Sequence, residues 1–233
     1  MRTFPRWLTL LLLVAGLAPA TGAASVGAVA ALTGQATRAP VGGAEAPLAV
    51  GQAIELLDTV RVARGELAVR LNDGSLLLLA QGSELAVREA DFEGQERKTF
   101  LARLRLGALW AKVTHAVAGS SAKFEVESEQ AVAGVRGTVF EVQVVSAADG
   151  PSTHVAVSEG KVAVSEAGRE GAAPSGALLE AGQAAAVDRN GLQREAPRPL
   201  PEGLRRFIEE RDRTREGTDR RREKREEKHQ RHR

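Results

Sequence analysis

The chain has 233 residues, of which 43% are hydrophobic and 27% charged, and this is enough for one sizeable domain with tails. It contains no Cys, so disulfides, thiolate metal sites, iron–sulfur clusters and a cysteine nucleophile are excluded. Aromatic residues make up only 3% of the chain and form no cluster with basic residues, which argues against a surface that stacks single-stranded nucleic acid.

The first 24 residues have the pattern of a signal peptide. Arg2 and Arg6 make the start positive, the run from Trp7 to Ala18 carries no charge, and small residues follow it. The apolar run is shorter than the roughly 20 residues that a membrane-spanning helix needs. We therefore expect residues 1–24 to be cleaved and the body to be periplasmic, whereas an uncleaved leader would anchor the body to the membrane.

Residues 25–190 are predicted to form an all-β domain. Alternating apolar residues at positions 67–71 lead into the turn Asn72–Ser75, and similar short runs recur about every dozen residues between Gly, Asn and Asp signals. Glu159 and Gly160 separate two further alternating runs and predict a hairpin or a corner between consecutive strands. Few long helical faces occur before residue 200.

A linker and a charged tail follow the β domain. Residues 191–203 contain three prolines at alternating positions, which predicts a stiff extended linker. Residues 204–233 carry 13 Lys or Arg and 8 Asp or Glu, so this tail is basic while the body is mildly acidic. Leu204, Phe207 and Ile208 supply one turn of apolar helical face, and no apolar residue follows them. The tail is therefore a solvated helix or disordered, and a coiled coil is excluded because its a and d positions would be empty.

The most distinctive stretch runs from Ala131 to Phe140 and reads Ala-Val-Ala-Gly-Val-Arg-Gly-Thr-Val-Phe. It resembles the A-x-R-G-T-x-F signature of the FecR domain of bacterial envelope proteins. The other parts of the family pattern occur in order along the chain, at Leu71–Ser75, Leu106–Leu109, Val157–Val162 and Ala181–Gln183. Because five elements occur in the order of the family, the resemblance is specific, and it spans roughly residues 26–187.

The resemblance implies a fold and a role. The implied fold is a compact wound β structure, either a short β-helix or a jelly-roll-like sandwich, and periodicity does not choose between them. Relay proteins of the family join a cytoplasmic segment that handles a sigma factor, one membrane helix and the periplasmic domain. Here only Met1–Arg6 could lie in the cytoplasm, and the charged tail stands in place of a further C-terminal domain. We therefore expect no direct contact with a sigma factor.

The residues that match the family motifs are expected to be structural. They are Asp73, Gly74, Gly134, Arg136, Gly137, Thr138, Phe140, Glu159, Gly160 and Gly182. Gly134 and Gly137 bracket Arg136, and this spacing predicts a bulge or kink where backbones approach closely.

Arg136 has two possible roles on this pattern. It shares the inward face of Phe140 unless a bulge resets the register, and an inward Arg needs a carboxylate or several carbonyl groups. One role is an anion site formed with neighbouring amides. The other is a structural tie between strand ends, with Asp73 or Glu159 as partner, and this role is favoured because buried charges are usually paired within the fold.

Catalysis and metal binding find little support in the sequence. The four histidines lie far apart and lack metal-ligand spacing, at His115, His154, His229 and His232. Neither a nucleophile elbow nor a phosphate-binding loop is present. A Ser–His–Asp set comes together only in the fold, so the sequence leaves it open. We predict a non-catalytic protein that uses no cofactor and no metal.

Two functional hypotheses follow from these observations. The first is a non-catalytic periplasmic binding or adaptor module of FecR type, which offers strand edges and loops to an envelope protein partner in signalling or assembly. The alternative is a structural envelope protein whose basic tail docks to anionic cell-wall or lipid material. The polyanion contacts would come from Arg220, Arg221, Arg222, Lys224 and Arg225. Neither hypothesis involves nucleic acid.

Overall fold

The computed structural model describes residues 24–114, 122–148, 150–168 and 176–197, together with Arg205, Arg206 and Glu209. Residues 1–23 of the predicted signal peptide and the five basic tail residues proposed as polyanion contacts lie outside the described residues, so both remain predictions. Within the described residues, no helix has the length and apolar character needed to cross a membrane.

The described residues are almost entirely strand, which confirms the all-β prediction. The strands are β1 (Ser25–Ala39), β2 (Ala46–Pro47), β3 (Ala53–Glu55), β4 (Thr59–Leu71), β5 (Leu76–Leu79), β6 (Glu84–Glu93), β7 (Glu96–Lys112), β8 (Lys123–Glu127), β9 (Ala131–Val135), β10 (Val139–Ala147), β11 (Gly150–Glu159), β12 (Lys161–Glu166), β13 (Gly176–Glu180), β14 (Ala184–Asp188) and β15 (Gly191–Glu195).

The pairing registers divide this continuous sheet into two layers. The first layer has the strand order β2-β1-β4-β6-β7-β8-β9-β12-β13. The second layer has the order β3-β1-β4-β5-β7-β10-β11-β14-β15. Among the described strands only β7 and β8 pair in parallel. This pairing matches the sandwich of the two expected architectures, because the coils of a parallel β-helix pair in parallel.

Strands β1, β4 and β7 belong to both layers and change layer at glycines. Gly34 of β1 pairs with Gly65 of β4, and both have positive φ angles, of 88° and 75°. A Cβ atom at either position would lie within 2.3 Å of a carbonyl oxygen on the facing strand. Gly107 of β7 has a φ of 89°, and a Cβ there would lie 2.5 Å from Cα of Ser83. Only glycine fits these corners, where one strand leaves a layer and enters the other.

The core lies between the two layers and is centred on three phenylalanines. Phe100 and Phe124 of the first layer and Phe140 of the second are fully buried. The Phe100 and Phe124 ring centroids lie 4.9 Å apart, and Phe124 meets Phe140 edge to face at 6.4 Å. Such tilted and edge-to-face contacts suit the charge distribution of aromatic rings. Phe140, Val142 and Val144 share the inward face of β10, as the alternation predicts.

Two predicted turns take the form that the sequence suggests. Asn72–Ser75 joins the paired strands β4 and β5, with Gly74 at a φ of 83°. Gly160, at a φ of 81°, connects β11 of the second layer to β12 of the first. Of the two expected alternatives at this position, hairpin and corner, the structure has the corner.

The last strand, β15, lies within the segment predicted to be a linker. It returns from β14 through the turn at Arg189 and Asn190, pairs Leu192 with Val187 and extends the second layer to Glu195. The linker prediction is therefore wrong for residues 191–195. Alternation gives little signal here because Leu192 is the only large apolar residue of the strand, while Asn190-Gly191 is a recognisable hairpin signal.

Candidate binding face

The family-signature segment forms part of the corner between the layers. Gly137 has a φ of 77°, and the Thr138 hydroxyl donates a hydrogen bond to the Lys161 carbonyl oxygen at 3.0 Å. A Cβ atom on Gly160 would lie 3.0 Å from the Gly137 carbonyl oxygen. Gly137, Thr138 and Gly160 therefore hold two chain segments in close contact, which is a structural role.

Arg136 and Gly134 do not follow the expectation. The register between β10 and β11 shifts at Val139 and Phe140, and the Arg136 side chain is exposed instead of sharing the inward face. Among the described residues, Arg136 makes no ion pair with Asp73 or with Glu159, which is itself exposed. Gly134 lies in the middle of β9, where an added Cβ would come no closer than 3.9 Å to another atom. The close approach predicted around Arg136 is confined to Gly137.

Asp73 is buried and its partner is Arg97, which sequence reasoning missed. The Asp73 carboxylate accepts hydrogen bonds from the Ser75 backbone N–H and hydroxyl, both at 2.9 Å, and forms an ion pair with the Arg97 guanidinium. Both charged side chains are only 3% exposed, and the guanidinium lies over the Phe124 ring at 5.2 Å from its centroid. This pair ties the β4–β5 turn of the second layer to the start of β7 in the first. Gly182, at a φ of 80°, occupies another turn, between β13 and β14.

The edges of the layers are capped by side chains. Arg194 of β15 donates a hydrogen bond to the Leu178 carbonyl oxygen of β13 at 3.3 Å. Glu166 accepts one from the Leu192 backbone N–H of β15 at 3.1 Å. At the opposite ends of the layers, β2 and β3 have two and three residues. Short and capped edges disfavour the addition of a foreign strand, so the outer faces are better candidates for a partner than the edges.

The outer face of the first layer is charged and in contact with water. Glu84 pairs with Arg61 and with Arg105, each at 3.0 Å. Lys161 pairs with Glu180 at 2.7 Å, and the hydrogen bond from its ammonium group lowers the pKa of the Glu180 carboxyl. Charges that are already paired and solvated offer little to a ligand.

The outer face of the second layer is different, because much of it is apolar and buried. Residues that face each other across successive strands form an outer row: Ala31, Ala68, Leu78, Trp110, Glu141, Ala156, Ala184 and Glu195. We call Ala68, Leu78, Trp110 and Val139 the apolar strip, and none of these four is more than 9% exposed. The row therefore joins an apolar region to a polar one.

The polar region is a small open cleft with a volume of about 10 Å³, which we call the polar cleft. It is lined by Glu141, Gln143, His154 and Glu195, with alanines at its base. Glu141 is only 7% exposed and has no hydrogen bond or ion pair with any described residue. Burial disfavours the charged carboxylate and raises the pKa of Glu141 to about 7. An unpartnered carboxyl group in a cleft is suited to receive a cation.

His154 forms a hydrogen-bonded chain with two neighbours. Its Nδ1 atom lies 2.6 Å from Glu195 Oε1, and its Nε2 atom lies 2.9 Å from the Ser152 hydroxyl oxygen. This is the bonding order of a Ser–His–carboxylate triad, which the sequence left open. Acyl transfer also needs a turn that presents the serine and backbone N–H groups that stabilise the oxyanion. Ser152 instead lies within β11, paired with Val145 in a regular ladder.

Within the described part of the protein, no group of three His, Asp or Glu side chains lies close enough together to hold a metal ion. Sequence reasoning missed the polar cleft as a whole. Glu141 is recognisable as an outward position of β10, but alternation predicts an outward carboxyl to be solvated.

Comparison with known proteins finds a family model that matches the central part of this chain. Residues 58–163, a little under half of the chain, match the model of the FecR family, described as "FecR protein". No curated protein matches.

Two solved structures are similar, each described as a "putative anti-sigma factor" from Parabacteroides distasonis ATCC 8503. The structure at 2.50 Å has 22% identity, a TM-score of 0.47 and coverage of 60% of each chain. The structure at 1.65 Å has 21% identity, a TM-score of 0.46 and coverage of 59% of each chain. The present chain thus spans about 60% of the length of these structures.

Proposed function

Because residues 58–163 of this chain form a FecR domain, we propose that the protein is a non-catalytic binding or adaptor module that works in the periplasm and contacts a protein partner in envelope signalling or assembly. The family is a regulatory one, which supports a signalling role. The signal-peptide pattern of residues 1–24 supports the location.

The observation that carries the binding role is the Glu141 carboxyl group. The Glu141 residue is nine-tenths buried, its carboxyl group has no partner among the described residues, and it lines the polar cleft beside Gln143. Leaving an ionised carboxylate buried and unpaired is costly, and an incoming Lys or Arg side chain removes that cost. Gln143 provides a neutral amide that can accept or donate a further hydrogen bond. The partner on this proposal presents a basic side chain to the cleft.

In-cell crosslinking of the exported full-length protein, followed by mass spectrometry, identifies the partner, and binding is then measured with the purified pair. Glu141→Gln keeps the shape of the side chain and removes its charge. We expect it to weaken binding at least about tenfold, since a hydrogen bond to a charged group contributes on the order of 1.5–3 kcal/mol. The matched control is Glu159→Gln, which changes an exposed carboxyl on neighbouring β11 and should leave the affinity unchanged. Equal affinity of Glu141→Gln and the parent protein would contradict the proposal.

The alternative, docking through the tail, is tested with the same assay. A full-length variant with serine at positions 220, 221, 222, 224 and 225 should retain the protein partner. Capture of only cell-wall or lipid material, lost in this variant, would establish the structural envelope role instead.

The non-catalytic part of the proposal has its own test at Ser152 and His154. Hydrolysis of a small activated ester by the purified protein is compared with that of Ser152→Ala. We expect no difference, because Ser152 lies in a regular ladder and lacks the turn that a nucleophile needs. Turnover that depends on Ser152 would make the hydrogen-bonded chain a catalytic triad and would refute the proposal.

A further inference from the structure

The apolar strip is buried although no described layer covers it. Leu78 is 1% exposed and Trp110 is 7% exposed, and both point away from the core between the layers. The apolar residues that pack with the strip are Ala30, Ala31 and Leu76, which lie on β1 and β5 of the same layer. Thus, within the described residues, the hydrophobic contacts of the strip all come from its own layer. A Trp side chain on an open sheet face would keep far more of its surface in water.

The C-terminal tail begins with a short group of apolar residues that suits such a face. Leu204, Phe207 and Ile208 are spaced to lie on one side of a helix, and the 25 residues that follow contain no apolar side chain. Arg205, Arg206 and Glu209, whose sequence positions fall on the other side of this helical pattern, are helical and exposed. The polar side of the turn therefore faces water, as it would if the apolar side were packed against protein.

The linker is long enough for this contact. Glu195 and Trp110 both belong to the outer row, on strands β15 and β7, which are separated by four strand spacings. Four spacings of about 4.8 Å amount to about 19 Å. The segment 196–203, with its prolines, spans up to about 25 Å at about 3.1 Å per residue. A turn that starts at Leu204 can thus reach the strip.

We propose that the segment 204–208 docks on the apolar strip, with Leu204, Phe207 and Ile208 packed over Trp110 and Leu78. The segment belongs to the same chain and acts as a strap across the outer face of the second layer. The proposal concerns the tail of this chain and does not rest on the partner binding described above, although a linker that runs straight from Glu195 to Trp110 passes over the polar cleft.

Fluorescence of Trp110 provides the first test. Trp7→Phe in the full chain leaves Trp110 as the only Trp, and acrylamide quenching then reports its accessibility. Phe207→Asp with Ile208→Asp should raise the quenching constant about twofold or more, because the indole loses apolar cover and meets water. The matched control is Arg206→Asp, on the exposed side of the same turn, which should leave the quenching unchanged. Equal quenching in all three proteins would overturn the proposal.

Crosslinking provides a second test that uses the natural absence of Cys. Phe207→Cys is combined with Ala31→Cys at the rim of the strip and treated with a short bis-maleimide. We expect an intramolecular crosslink. The control combines Phe207→Cys with Ala163→Cys, an exposed position of β12 in the first layer, and should give none. A crosslink between two molecules would mean that a second copy of the chain covers the strip. The absence of a crosslink to position 31 would mean that the segment 204–208 does not dock on the strip. Either result would overturn the proposal.

Discussion

On the outer face of the first layer, Glu84 bridges Arg61 and Arg105, and its charges stay close to water. On the outer face of the second layer, Trp110 is 7% exposed and Glu141 is buried without a partner. Strands β1, β4 and β7 contribute to both faces, and all of them alternate between inward and outward residues. The comparison teaches that alternation decides which residues point outward, whereas cover by other parts of the molecule decides whether an outward residue is solvated.

The largest expected effect on stability concerns the buried ion pair of Arg97 and Asp73. Arg97→Met leaves the Asp73 carboxylate buried without its cation, so we expect the free energy of unfolding to fall by about 3–5 kcal/mol. Urea unfolding followed by circular dichroism measures it. A loss of less than about 1 kcal/mol would mean that the hydrogen bonds from Ser75 are sufficient to hold Asp73.

The two faces are compared directly by truncating one outward Leu on each. Leu78 of the second layer is 1% exposed, whereas Leu178 of the first is 54% exposed. Leu78→Ala should cost about 2–4 kcal/mol because it removes buried methyl groups. Leu178→Ala should change stability by less than about 0.5 kcal/mol. Thermal or urea unfolding measures both changes. Similar losses of stability in the two variants would contradict the proposed difference between the faces.

Charge on the second face is predicted to destabilise the protein near neutral pH. The pKa of Glu141 is raised from 4.5 to about 7 by burial, so the folded state holds its proton more tightly than the unfolded state. Stability from this group is therefore fully present below about pH 4.5 and is lost as the pH rises through 7. Glu141→Gln cannot ionise and should be more stable than the parent at pH 8, by on the order of 2–3 kcal/mol, and equal to it at pH 4.

Glu127→Gln is the matched control for this pH series. Glu127 accepts a hydrogen bond from Arg103 at 2.7 Å on the first face. Its neutralisation should lower stability at pH 8 by at most about 1 kcal/mol. His154 and Glu195, which line the polar cleft near Glu141, are the same in the parent and in Glu141→Gln. A Glu141→Gln protein that is less stable than the parent at pH 8 would show that Glu141 has a cationic partner in the free protein.

The smallest expected effect concerns the ion pairs of the first face. Glu84→Gln removes the shared partner of Arg61 and Arg105 and should cost at most about 1 kcal/mol in low salt. The loss should shrink in 1 M NaCl, where the screening length is about 3 Å. A loss that does not depend on salt would mean that these side chains contribute through packing.

Much of the fold follows from local patterns in the sequence. The Asn72–Ser75 turn, the inward face of Phe140 and the break between strands at Gly160 are all predicted, because each depends on a few adjacent residues. The capped strand β15 was harder to predict because Leu192 is its only large apolar residue. Arg136 was expected inward unless a bulge reset the register; a register shift does occur next to it, at Val139 and Phe140, and its side chain is exposed.

The candidate site was less predictable than the fold. Arg97 and Asp73 lie 24 positions apart in the sequence, and no spacing rule joins a turn of one layer to the start of a strand in the other. Glu141 is identified as outward by alternation, yet its burial depends on Trp110 and on side chains of β11 and β15 that reach the cleft only in the folded chain. The residues proposed to bind are therefore those whose environment is set by tertiary contacts.

The glycine corners at Gly34, Gly65 and Gly107 also affect how the protein unfolds. Since β1, β4 and β7 run through both layers, neither layer can detach without breaking strands that the other layer shares. The sandwich is then a single cooperative unit, and its slowest-exchanging amide hydrogens should be found in both layers and become exposed in the same global opening.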